Sequence, residues 1–115
     1  MLDITEAKSI LDDVVDDLPE AKWQAAYGFP CMFAAGKVFG LYDGDFIVLR
    51  FRPEQIAALV GMGEGVTLDR GKEATSKTWL RVSHEQLPGP ERLRELIVLS
   101  YETRLVDAAG NSAVG

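Results

Sequence analysis

The chain is short of the residue types from which most catalytic and metal sites are built. It has one cysteine, Cys31, and one histidine, His84, in 115 residues. A single cysteine excludes an internal disulfide and any metal site made of several thiolates. It also suits a reducing compartment. No apolar stretch approaches the ~20 residues needed to span a bilayer. The opening Met1-Leu2-Asp3-Ile4-Thr5-Glu6 has no basic region followed by an apolar run, so no signal peptide is expected. Basic residues are scarce relative to acids. There are 12 Lys and Arg against 18 Asp and Glu, a net charge of −6. A chain of that charge repels phosphate backbones at long range, which weighs against nucleic acid as a partner.

What is present fits one globular domain. The composition is 47% hydrophobic and 26% charged, enough apolar material to bury a single core at this length. The acidity is uneven. Residues 1–20 carry seven acids and one base, and residues 85–115 carry five acids and three bases. Residues 21–84 carry six acids and eight bases, so the middle is mildly basic between two acidic ends. Solvated helix faces account for most such runs.

Periodicity orders the elements. Ala7, Ile10, Leu11, Val14, Val15 and Leu18 recur at helical spacing and predict an amphipathic helix over 4–18. Asp3 and Glu6 have the spacing of a capping box, and Pro19 marks the end. Asp12, Asp13, Asp16 and Asp17 fall on the opposite, wet face. Three strands follow, over 26–34, 37–42 and 46–51. Pro30 implies an edge position or a bulge in the first of them. Ala35-Gly36 is a short turn, and Asp43-Gly44 is a strong hairpin signal. Pro53 opens a short helix whose apolar face is Ile56, Leu59 and Val60, ended by Gly61 and Gly63. Residues 65–70 are a fourth strand, 71–76 a polar loop and 77–83 a fifth strand. Pro90 opens the last helix, with Leu93, Leu96, Ile97, Ser100 and Tyr101 on its buried stripe and Leu105 extending it. Residues 108–115 read as a flexible tail beyond a single domain over 1–107. The order α-β-β-β-α-β-β-α predicts a two-layer α+β domain in which helices cover an antiparallel five-stranded sheet.

Five segments, in this order, carry a family likeness. They are Tyr27-Gly28-Phe29-Pro30, then Gly36-Lys37-Val38-Phe39-Gly40-Leu41, then Arg52-Pro53-Glu54. Lys77-Thr78-Trp79-Leu80-Arg81-Val82 follows, and last Leu96-Ile97 with Ser100-Tyr101. Together they resemble the MmcQ/YjbR family, a close relative of the N-terminal domain of the TfoX competence regulators. The likeness runs from about Trp23 to Val106. Family members commonly carry His-Met-Asn-Lys before the tryptophan strand. Here Ala74-Thr75-Ser76-Lys77 stands there, so no role of that histidine carries over. The resemblance implies a fold shared with secretion chaperones and double-wing proteins, a bacterial cytoplasmic setting and no enzymatic activity. It also carries a DNA-binding label.

The candidate sites are few. His84, next to Glu85 at a strand end, reads as a surface residue rather than a catalyst, since general-base work needs a positioned partner. Cys31 beside Met32 reads as a small core residue. The acidic pairs of the first helix lack the convergence that hard cations require. Gly61-Met62-Gly63-Glu64-Gly65 has no helix after it to offer a phosphate its N-terminus, and a helix end plus a turn explains the run. The remaining set is Lys77, Trp79, Arg81 and Arg50. Alternation places Lys77, Trp79 and Arg81 on one face of their strand. If Arg50 shares it, the helix-free face of the sheet is a basic, aromatic platform suited to a protein partner or to stacked bases. The competing reading puts Trp79 in the core and pairs the basic residues with local acids. The expectation is a non-catalytic binding or regulatory module without a cofactor. A protein partner leads, DNA is the alternative, and the oligomeric state is open.

Overall fold

The computed structural model describes residues 2–26, 28–68 and 78–114, with 108–114 by backbone alone. The elements are α1 (Ile4–Asp17), β1 (Ala21–Ala26), β2 (Phe29–Ala34), β3 (Lys37–Tyr42) and β4 (Ile47–Arg50). Then come α2 (Pro53–Gly61), β5 (Gly65–Thr67), β6 (Trp79–Val82), a 3₁₀ turn over His84–Gln86, and α3 (Pro90–Val114). α3 thus takes in most of the stretch read as a tail. The strands form one antiparallel sheet in the order β1-β2-β3-β4-β6-β5. The α+β class stands, but the sheet has six described strands rather than five.

The extra strand is Ala21–Ala26, which forms a hairpin with Phe29–Ala34 where the sequence suggested one strand over 26–34. β1 and β2 pair from Ala21↔Ala34 to Ala26↔Phe29, and Gly28, at φ 81°, lies in the turn between them. β1 is Ala-Lys-Trp-Gln-Ala-Ala, with few β-branched or aromatic residues to announce it. Pro30 needs no sheet edge. It pairs with Ala25 of β1, one residue before the ladder to β3 begins at Cys31↔Leu41, so its missing N–H costs no bond there. Lys77 and the predicted loop over 71–76 lie outside the described residues, as does the end of the predicted fourth strand.

The helices form as their caps and stripes dictate. Asp3 Oδ1 accepts from the Glu6 N–H at 2.8 Å, and Glu6 Oε1 reaches back to the Asp3 N–H at 3.4 Å. Ala7, Ile10, Leu11, Val14 and Val15 are buried. In α2, Gln55 Oε1 accepts from the Arg52 N–H at 2.8 Å, and Ile56 and Leu59 go into the core while Val60 stays exposed. Leu93, Leu96, Ile97, Ser100 and Tyr101 of α3 are all buried.

All three helices contribute to one core, against a single face of the sheet. Met32, Ala34, Ile47, Leu49, Leu80 and Val82 supply that face. A bulge tunes it. Met32 pairs with Gly40 and Phe33 with Val38, so Phe39 is the extra residue on β3. Phe39 and Gly40 then share the space opposite Met32. A Cβ on Gly40 would come 2.4 Å from Met32 Cε and 2.9 Å from Leu49 Cδ2, which is why glycine stands there. The Phe39 ring meets Tyr101 edge to face at 5.8 Å. Ser100 holds the same place together. Its hydroxyl lies 2.7 Å from the Arg50 carbonyl and 3.0 Å from the Phe39 carbonyl.

Candidate functional site

The sheet's other face is built by the alternate residues. Cys31, Leu41, Val48, Arg81 and Val66 lie across from one another on β2, β3, β4, β6 and β5, through the pairs Cys31↔Leu41, Leu41↔Val48, Val48↔Arg81 and Val66↔Arg81. Phe33 and Val38 continue it on one side, and Arg50 faces Trp79 on the other. None of these side chains belongs to the core cluster that the three helices share. Cys31 and Val48 are buried within this outer face, Phe33, Val38, Leu41 and Trp79 are half-buried, Val66 is 49% exposed, and Arg81 is exposed.

The four residues singled out by sequence fare differently. Trp79 and Arg81 share the outer face, as alternation along the strand requires. Leu80 and Val82, between and beyond them, are buried in the core. The Arg81 guanidinium sits 4.3 Å from the centre of the Phe46 ring, a cation–π contact. Among the described residues no carboxylate pairs with it. Arg50 is spoken for. Its Nη1 donates to Asp107 Oδ2 of α3 at 3.0 Å, while Arg52 donates to Oδ1 of the same carboxylate at 3.1 Å. Lys77 lies outside the described residues.

Charge pairing extends to Arg92, Arg94 and Lys8, whereas Lys22, opposite Phe33 on the outer face, and Lys37 are exposed and in no ion pair among the described residues. Arg92 makes a two-pronged contact with Glu64, at 2.7 and 2.8 Å, and adds Glu95 at 3.1 Å. Glu64 is buried, so Arg92 is held charged, well above the ordinary guanidinium range. Arg94 approaches Asp13 of α1 at 3.5 Å, and Lys8 binds Asp12 at 2.9 Å while lying over the rings of Trp23 and Tyr42. Part of the acidic face of α1 is therefore compensated rather than simply solvated.

The two candidate reactive side chains are both enclosed. Burial pushes the Cys31 thiol above its ordinary value, and its Sγ lies 3.4 Å from the Ala26 carbonyl. A thiol so placed is a poor nucleophile. His84 is buried at 7% exposure, not on the surface as its strand-end position suggested, and its Nδ1 lies 2.9 Å from the Leu2 carbonyl. Among the described residues, no group of three or more His, Cys, Asp or Glu side chains is placed to hold a metal ion. No described helix is long and apolar enough to cross a membrane.

Sequence reasoning missed Phe46 and Val66 as members of the Arg81 surface. The signal was available for Val66, which register puts opposite Arg81. It was available for Phe46 as well, since the predicted strand over 46–51 places it by alternation on the face of Val48 and Arg50, although the observed strand begins at Ile47. Asp107 carried no signal at all, standing 57 residues from Arg50. No protein family, curated protein or solved structure matches the chain.

Proposed function

We propose that this chain is a non-catalytic binding or regulatory module of the MmcQ/YjbR kind, at work in a bacterial cytoplasm. In this reading it docks an acidic, partly apolar segment of another protein on the outer face of its sheet. The observation that supports it is the division of labour between the two faces. All three helices pack on one, while on the other Phe46, Val48 and Val66 flank Arg81, and Leu41, Val38 and Phe33 continue the apolar surface across β3 and β2. A guanidinium unopposed by a described carboxylate, set among apolar side chains, suits a carboxylate flanked by apolar residues. Trp79 on the same strand extends the contact. The five motif resemblances support the family assignment, with one strand more than the sequence suggested. DNA is less well supported. Arg50, Arg52, Arg92, Arg94 and Lys8 are already paired with acids and are not free to displace counterions from phosphates.

Display of a random peptide library against the chain tests this, followed by anisotropy titration of the selected peptides. The expected consensus is one or two acids flanked by apolar residues. Trp79→Ala and Arg81→Glu each weaken binding about tenfold or more, as loss of a central anchor does. No consensus, or one indifferent to both variants, overturns the reading. A labelled DNA duplex bound at near-physiological salt and weakened by Arg81→Ala moves the function to DNA.

A further inference from the structure

β1 ends the sheet, and among the described residues no strand pairs with its free side. An open edge offers its backbone groups to any other strand. Proteins commonly blunt such an edge with a proline, a bulge, charged side chains or a very short strand. β1 has Lys22 as its one such guard. It runs for six residues, Ala-Lys-Trp-Gln-Ala-Ala, in unbroken register with β2. β5, the edge on the far side, is three residues long.

The groups that β1 leaves open follow from its pairing with β2. The Ala35 N–H donates to the Glu20 carbonyl at 3.4 Å, so residue 20 turns its backbone toward β2. Alternation then turns Lys22, Gln24 and Ala26 toward β2, and Ala21, Trp23 and Ala25 away from it. The Ala21 N–H is already bonded to the Leu18 carbonyl at 3.2 Å. What remains open is the Ala21 carbonyl and both backbone groups of Trp23 and Ala25.

That set is self-complementary. An antiparallel second copy, related by a two-fold axis at Trp23, sets each Trp23 N–H against the other's Trp23 carbonyl. Each Ala25 N–H then meets the other's Ala21 carbonyl. The bonded Ala21 N–H marks where the register stops. Side chains agree with it. On the core side Trp23 stands opposite Trp23, between pairs of Ala21 and Ala25 that leave the rings room. Lys8 Nζ lies over the Trp23 ring at 5.0 Å and holds it in place. On the outer side Lys22 stands opposite Gln24. A register centred on Lys22 sets like charges against each other, and one centred on Gln24 gives up the pairing of the two tryptophans.

We propose that β1 is the interface for a second copy of this chain, joining two sheets edge to edge in a symmetric dimer about Trp23. The dimer does not rest on peptide docking, and it stands if the outer face binds nothing. Its consequence for that face is continuity. Phe33, beside Lys22 on β2, comes close to the seam from both sides, so two Arg81 surfaces share one sheet.

Sedimentation equilibrium of the full chain over a concentration series tests this. The mass is expected to rise reversibly from 12.6 kDa to twice that value and no further. Each copy carries a net charge of −6, so added salt tightens the dimer, the opposite of its effect on docking an acidic peptide. Ala25→Pro removes an N–H that points away from β2, and it raises the dissociation constant about tenfold or more. Gln24 is exposed, so the fold survives its replacement. Gln24→Glu sets an acid opposite Lys22 of the second copy and tightens the dimer about threefold, although it adds negative charge. Gln24→Lys loosens it by a similar factor. The two Gln24 variants decide the matter if Ala25→Pro fails to fold. A mass that stays at one chain up to millimolar concentration, assembly beyond two copies, or a dimer that Gln24→Glu weakens overturns the proposal.

Discussion

The hydroxyl of Ser100 has one proton and two carbonyls within reach, those of Phe39 and Arg50. Phe39 is the bulged residue of β3, and Arg50 ends β4, so both carbonyls stand where the ladder is irregular. Ser100 is fully buried. Ser100→Ala therefore removes a donor from two buried acceptors and is expected to destabilise the fold by about 1–3 kcal/mol, read as the urea midpoint at constant slope. Tyr101, next in sequence, meets Phe39 edge to face and donates its hydroxyl to the Pro19 carbonyl. Burial raises its phenol above the ordinary value, with Glu20 and Glu102 adding to the rise, so it stays a donor at any physiological pH. These two residues were noticed in the sequence as part of a motif. Their work depends on a bulge that no periodicity reveals.

α3 is anchored near its start and again further along by arginine–carboxylate contacts. Near its start Arg92 grips Glu64, which ends the α2–β5 connection. Further along, Asp107 is held by Arg50 of β4 and by Arg52 at the cap of α2. Burial alone would raise the Asp107 carboxyl, but the hydrogen bonds and charges of the two arginines outweigh it and hold it below its ordinary value. A lowered folded value means that the unfolded chain takes up the proton first. The contribution of Asp107 is thus complete above about pH 4, the unfolded range, and is lost as pH falls through the folded value. Asp107→Asn is expected to lower stability at neutral pH and to flatten its fall below about pH 4. Urea midpoints across that range check this, and an unchanged acid slope in the variant would sink it. The reach of sequence reasoning shows in the same elements. The buried stripes of α1 and α3 were readable because 3.6-residue spacing survives any tertiary context. The alternation of Trp79, Leu80, Arg81 and Val82 was readable for the same reason at period two. β1 was not, since Ala, Lys and Gln give no strand signal and its place is set by pairing with β2. Nor was the fate of Arg50, because alternation fixes the face from which a long side chain starts and not the acid that it finds.

Charge decides between the two classes of partner for the molecule taken together. The net charge is −6, yet most described bases are paired within the fold, leaving Arg81 as the uncompensated guanidinium of the outer face. Binding through one arginine and apolar neighbours displaces few ions. The logarithm of the affinity for a selected peptide should therefore fall with the logarithm of salt concentration with a slope near one in magnitude, and Arg81→Gln should bring it close to zero. A DNA-binding surface behaves otherwise, since each neutralised phosphate adds about 0.9 to the slope. A duplex titration with a slope of about four or more would require several free cations acting together. The described residues do not offer that many on this face, so the bases of residues 70–77 would have to supply them, and protein docking would give way to DNA. A slope near one, abolished with Arg81, assigns the binding energy to apolar contact around a single charge, as the division of the sheet's two faces implies.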